Sequence, residues 1–218
     1  NVSLLVPGPS FAHAVAVLKE LDGICVGLHA AITAEWPMLK WGPVLPVNDV
    51  PTLVDRNGMF PATTQVHRDR RAEPDEILRE IEAQLQRARD AGLQVDYLDL
   101  HMGFGWLDGV QERIDDLRQR EGLIAGDTAA ARLPRCPDSD QDLPEALITR
   151  LRLADPGDYI VVGHPGYADV EDFLQLALGK DNPGAAARRR DAQRRMFMQQ
   201  NVLDFCREHD VIPRRFTD

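Results

Sequence analysis

The chain has 218 residues, 44% of them hydrophobic, which suits one sizeable domain with a substantial core. Its 35 acidic and 25 basic residues leave a net charge of −10, which argues against nucleic acid or an anionic membrane surface as the main partner. No apolar run is long enough for a membrane span, and Cys25, Cys136 and Cys206 are widely spaced and form no CxxC pair, so they read as free thiols in a reducing, cytoplasmic setting.

Asn1-Val2-Ser3-Leu4-Leu5-Val6 reads as an interior strand with no methionine and no leader before it, so the first strand of the fold is expected to be missing from this chain. Pro7-Gly8-Pro9 makes a turn, and Ser10 caps a helix running to about Leu21. Asp22-Gly23 ends that helix, and the strand Ile24–His29 follows. Residues 30 to 72 carry little helical periodicity and contain Trp36, Trp41, several prolines and the turn Asp55-Arg56-Asn57-Gly58, so they form a long excursion. Pro74 opens the clearest helix, in which Ile77, Leu78, Ile81, Leu85 and Ala88 keep a 3.6-residue period. Asp75 and Glu76 suit its positive end, and Gly92 suits its C-cap.

A strand Tyr97–His101 comes next, then a helix from about Val110 to Arg120. Residues 122 to 143 look irregular, and a short helix covers roughly Pro144 to Leu151. Asp155-Pro156-Gly157-Asp158 turns into a strand Tyr159–His164, and the remainder is helical, with a basic face at Arg188-Arg189-Arg190 and Arg194-Arg195. Strand and helix alternate at spacings that require a parallel sheet. The expected fold is α/β, an irregular TIM-barrel-like (β/α) barrel in one domain across residues 1–218.

Three of the apolar strands end in a histidine: His29, His101 and His164. Parallel strands place their carboxyl ends side by side, so these imidazoles are expected on one rim. Imidazole ligates metals and, with a pKa near 6.5, moves protons at neutrality. Asp99 shares a strand face with His101 and either ligates a metal or fixes an imidazole tautomer. His164-Pro165-Gly166-Tyr167 is a sharp turn suited to presenting an imidazole. His13, His67 and His209 read as structural.

Gly27-Leu28-His29-Ala30-Ala31-Ile32-Thr33 followed by Glu35-Trp36 resembles the G-L-H-x-x-L-T-x-E-W segment of the YdjC-like (ChbG-type) carbohydrate deacetylases. Lys40-Trp41-Gly42-Pro43-Val44-Leu45-Pro46, Leu53-Val54-Asp55 and Gly58-Met59-Phe60 fit that family's next stretch. Asp99-Leu100-His101 is similar to its D-x-H motif, His164-Pro165-Gly166-Tyr167 to its H-P-G-Y, and Ser3–Pro9 to its opening. The resemblance spans about residues 1 to 210.

The resemblance implies a (β/α) barrel that removes acetyl groups from N-acetylated sugars such as chitooligosaccharides with a divalent metal, Mg²⁺ or Zn²⁺. His29 and His101 would be metal ligands, with Asp99 and His164 the catalytic groups and His164 the proton donor. Trp36 and Tyr167 would stack on sugar rings. The implied partner is a small carbohydrate, with a homodimer as one arrangement of the chain.

Two positions depart from the family pattern. Gly103 stands where a further histidine is usual, and the family's Asp-Asp pair belongs to a strand before Asn1, so the chain by itself is expected to be inactive. A sugar isomerase or epimerase on a similar barrel would want strand-end glutamates and a catalytic lysine, whereas Lys19, Lys40 and Lys180 all lie away from strand ends. A non-catalytic sugar-binding relative is the other alternative.

Overall fold

Strands and helices alternate through the computed structural model, which describes residues 1–126, 128–137, 142–170, 174, 176, 182 and 184–218. In chain order they are β1 (Val2–Leu4), α1 (Phe11–Lys19), β2 (Val26–Ala30), α2 (Thr64–Arg70), α3 (Pro74–Asp90), β3 (Tyr97–Leu100), α4 (Val110–Glu121) and β4 (Ile124–Ala125). β5 (Ala131–Arg132), α5 (Leu143–Leu153), β6 (Tyr159–Ile160), α6 (Ala185–Met198) and α7 (Gln200–Glu208) follow. The chain divides into two compact units, Asn1–Ala129 with Arg215–Asp218, and Ala130–Arg214.

In the first unit β1, β2, β3 and β4 form one parallel sheet in sequence order. Register pairs Leu4 with Leu28 and Leu28 with Leu98, and the last two are wholly buried. Because side chains alternate along a strand, Ser3, Gly27, His29, Tyr97 and Asp99 occupy the other face. Among the described residues neither sheet closes on itself. The α/β class and parallel sheet are as the sequence pattern requires.

The apolar stripe of α3 is buried at Ile77, Ile81, Leu85 and Ala88. Pro74 stands at its start, with Asp75 and Glu76 in the first turn. The sequence pattern does not reveal that Glu76, Glu80 and Gln84, at i, i+4 and i+8, are buried beside that stripe. Their partners are mostly backbone groups of the excursion, and Gln84 also donates to Glu80 at 2.8 Å. Glu76 accepts from the N–H and hydroxyl of Thr52, both at 2.8 Å, and Glu80 accepts from Val44 N–H at 2.8 Å and Leu45 N–H at 3.0 Å. Gln84 accepts from Ala31 N–H at 3.1 Å and donates to Ala31 O at 2.7 Å. A long segment poor in regular structure is thereby satisfied and fixed.

The second unit has its own two-stranded parallel sheet, β5 with β6, and a core of Leu133, Leu147, Met196 and Val202. Asp142 caps α5 by accepting from Glu145 N–H at 3.1 Å. Two expectations shift here. Residues 122 to 143 contain the short strands β4 and β5, and the strand expected to run to His164 stops at Ile160. β5 runs straight into Leu133-Pro134, where proline has no N–H for a ladder, so the pairing is short. No described helix is long and apolar enough to cross a membrane.

Candidate functional site: a carboxylate-braced histidine pair

β2 and β3 set His29 opposite Asp99 in register. His29 Nδ1 lies 2.6 Å from Asp99 Oδ1, and the Ser3 hydroxyl donates to Asp99 Oδ2 at 2.6 Å. The Ser3 proton is used in that bond, so the Tyr97 hydroxyl, 2.8 Å away, donates to Ser3 Oγ. Burial, opposed only by its hydrogen bond to Ser3, pushes the Tyr97 phenol well above its ordinary value and keeps it a donor. The ring fits because its strand neighbours are glycines: a Cβ at Gly27 would come within 2.3 Å of it, and one at Gly126 within 2.4 Å.

His101 follows β3 directly, its N–H donating to Ala30 O at 2.9 Å. Its Nδ1 is 3.1 Å from His29 Nε2, the two rings meeting edge to face with centroids 5.0 Å apart. Its Nε2 is 3.0 Å from Glu35 Oε2, and the buried Trp41 ring lies 6.2 Å from its own. Met102 and Gly103 then both take left-handed backbone, with φ of 57° and 59°, and turn the chain away from the pair. For Met102 that conformation costs roughly 1–2 kcal/mol.

Tyr97, Ser3, Asp99, His29, His101 and Glu35 thus form one run of contacts. Two neutral imidazoles carry two protons, but three links join Asp99, His29, His101 and Glu35. If the carboxylates take both ring protons, the inner nitrogens, His29 Nε2 and His101 Nδ1, face each other with bare lone pairs. A third positive centre, a proton or a metal ion, satisfies that link. With metal–nitrogen bonds of about 2.0–2.1 Å, the 3.1 Å separation corresponds to an angle of roughly 100° at an ion, suitable for two neighbouring ligands. Among the described residues no group of three or more His, Cys, Asp or Glu side chains converges as a metal site, and the pair by itself offers two nitrogens.

Of the residues singled out in the sequence, His29, Asp99 and His101 come together. His164 belongs to the second unit, where it is exposed, four residues past β6, with its N–H donating to Gln193 Oε1 at 2.8 Å. Tyr167, in the same unit, is 60% exposed beneath the Arg194 guanidinium, 4.6 Å from the ring centre. Trp36 is only 8% exposed and offers little ring surface. Trp106, just after the turn that follows His101, is 48% exposed, with the Arg68 guanidinium 5.4 Å from its ring. Glu35, Ser3 and Tyr97 join the site without having been singled out. The signal for Tyr97 was its place two residues before Asp99 on one strand face, and Glu35 stood in the quoted Glu35-Trp36 pair.

Parallel strands that deliver a carboxylate-braced imidazole pair to their carboxyl ends define an α/β protein with a histidine–carboxylate cluster at one rim of its sheet. The model of YdjC-like proteins matches residues 1–208, and the chain belongs to that family. A carbohydrate deacetylase of Brevibacillus brevis is 31% identical over 140 residues, covering 54% of this chain and 52% of that protein. One of Geobacillus stearothermophilus is 28% identical over 180 residues, covering 78% of this chain and 69% of that protein. The chain therefore spans about half to two thirds of these relatives. A solved structure from Enterococcus faecalis V583, described as a cellobiose-phosphate cleavage protein, superposes with a TM-score of 0.79 at 18% identity. It covers 99% of this chain and 85% of that one, and establishes likeness of fold.

Proposed function

We propose that this protein is a metal-dependent carbohydrate deacetylase acting on N-acetylated, chitooligosaccharide-like sugars. The observation that carries the reading is the facing pair, His29 Nε2 and His101 Nδ1 at 3.1 Å, each ring backed on its far side by a carboxylate. Membership of a family whose curated relatives are named carbohydrate deacetylases supports the substrate class. The parallel sheet is read as an arc of a (β/α) barrel, whose strand ends are where such folds place chemistry.

Amide hydrolysis needs a nucleophilic water and a stabilised oxyanion, which a bound Mg²⁺ or Zn²⁺ with an open position supplies. His29 and His101 would hold that ion. Asp99, with one oxygen on His29 and the other on Ser3, acts here as a positioning residue: it holds the His29 proton on Nδ1 and so leaves Nε2 bare. His164 is assigned the protonation of the leaving amine, an acid role suited to imidazole. A further ligand and a general base, roles suited to carboxylates, complete what the chemistry needs. Exposed Tyr167 and Trp106 offer ring surface for sugar C–H faces, more than buried Trp36 does.

Acetate release from a panel of N-acetylated sugars by the protein, with and without added divalent metal, tests the reading. It predicts metal-dependent release that His101→Ala abolishes. Metal-independent release, or no release from any sugar while the metal stays bound, would favour a different hydrolase or a sugar-binding relative.

A further inference from the structure

We infer that Glu35 is a positioning residue that selects which nitrogen of His101 is available to bind. Its carboxylate holds the His101 proton on Nε2 and so presents Nδ1 to His29. The inference rests on reading the two imidazoles as a metal pair, and it assigns a role to a side chain outside the ligand set.

The geometry is specific. Glu35 Oε2 lies 3.0 Å from His101 Nε2, with both side chains largely sheltered, at 16% and 13% exposure. A carboxylate accepts and never donates when ionised, so the proton between them belongs to the ring. Were the neutral ring protonated on Nδ1 instead, the Nε2 lone pair would face the carboxylate charge. The gain on that side would be one neutral bond to His29 Nε2. A bond to a charged acceptor is roughly twice as strong as a neutral one, so the Nε2–H tautomer wins. Trp41, packed against His101, keeps water from weakening that preference.

The segment before Glu35 is tied down residue by residue. Ala31 is held at both backbone groups by Gln84, and Ile32 O accepts from His67 Nε2 at 2.6 Å. Ala34 N–H donates to Pro61 O at 2.9 Å, and the Lys40 ammonium donates to Ala34 O. Trp36, the next residue, is itself buried. A glutamate on an ordinary surface loop would need no such support. The arrangement mirrors that of Asp99 on His29, so each imidazole has an outer carboxylate and an inner free nitrogen.

The test is long-range ¹H–¹⁵N correlation NMR of the metal-free 218-residue chain, at a pH high enough that both rings are neutral. The expected result is a His101 ring protonated on Nε2, with Glu35→Ala shifting the tautomer ratio by roughly tenfold or more toward Nδ1–H. Glu35→Gln, which keeps an acceptor without the charge, should fall between the two. A wild-type His101 protonated on Nδ1, or a ratio unmoved in Glu35→Ala, overturns the inference. Titration of the same sample with Zn²⁺ should shift Nδ1 of His101, and a shift at Nε2 would equally overturn it. Failure of Zn²⁺ to bind would instead count against the metal reading of the pair while leaving the tautomer result to decide the role of Glu35.

Discussion

Asp99 and His29 are register partners across the β2–β3 ladder, and their side chains meet at 2.6 Å on the polar face of the sheet. Adjacent parallel strands guarantee that meeting once the register is set, because partners in register point the same way. Sixty-nine residues of intervening chain contribute nothing to it directly. The carboxylate determines which His29 nitrogen faces His101.

Asp99→Asn should therefore weaken divalent metal binding without unfolding the protein. The amide keeps the size of the side chain but loses the charge that holds the His29 proton on Nδ1. Loss of such an outer partner typically lowers metal affinity about 10- to 100-fold. Calorimetric titration with Zn²⁺, beside a circular dichroism spectrum, checks both halves. Full affinity in the variant would show that Asp99 plays no part in presenting the imidazole.

Gly27→Ala should disturb the same network from the opposite end. The new methyl would stand 2.3 Å from the Tyr97 ring, which is buried and also lies against Gly126 and Phe216. Overpacking of this kind costs about 1–3 kcal/mol, and the ring must move off Ser3. Urea denaturation should show the loss of stability, and near-ultraviolet circular dichroism should show the Tyr97 ring displaced. An alanine variant as stable as the parent would mean that the sheet yields here.

Much of this was legible in the sequence for a physical reason. His29 and Asp99 sit on short strands with a two-residue period and His101 directly follows one, so their meeting follows from local pattern and parallel pairing. α3 was legible because Pro74 and its apolar stripe report directly on burial. Glu80 and Gln84 were not, since their partners are backbone groups of Ala31, Val44 and Leu45, and no local period announces a bond to a distant loop. His164 was expected at a strand end, but its strand is cut to Tyr159–Ile160 because its partner meets Pro134. His67 read as structural, and it is buried on α2, where Nε2 donates to Ile32 O and Nδ1 has no partner among the described residues.

That buried His67 gives a pH prediction. Burial, together with the nearby Arg70 charge, holds its pKa below the ordinary 6.5 despite the bond to Ile32. Below pH 6.5 the unfolded chain gains a proton that the folded chain still refuses, so stability falls as pH falls. The slope is at most about 1.4 kcal/mol per pH unit. Glu80 has the opposite sign, because burial raises its carboxyl and protonation then favours the folded state. Comparing urea midpoints at pH 7.5 and 5.5 for wild type and His67→Gln isolates the histidine, since Glu80 is common to both. The wild type should lose more stability than the variant, and equal losses would rule out the assignment.

Whether His29 and His101 hold one divalent ion between them, as proposed, is decided by calorimetric titration of the protein with Zn²⁺. A single site is expected, its affinity dropping by at least about tenfold in His29→Ala and likewise in His101→Ala, each variant losing one of two nitrogen ligands while the fold remains. Binding of equal strength in the wild type and both variants would contradict it.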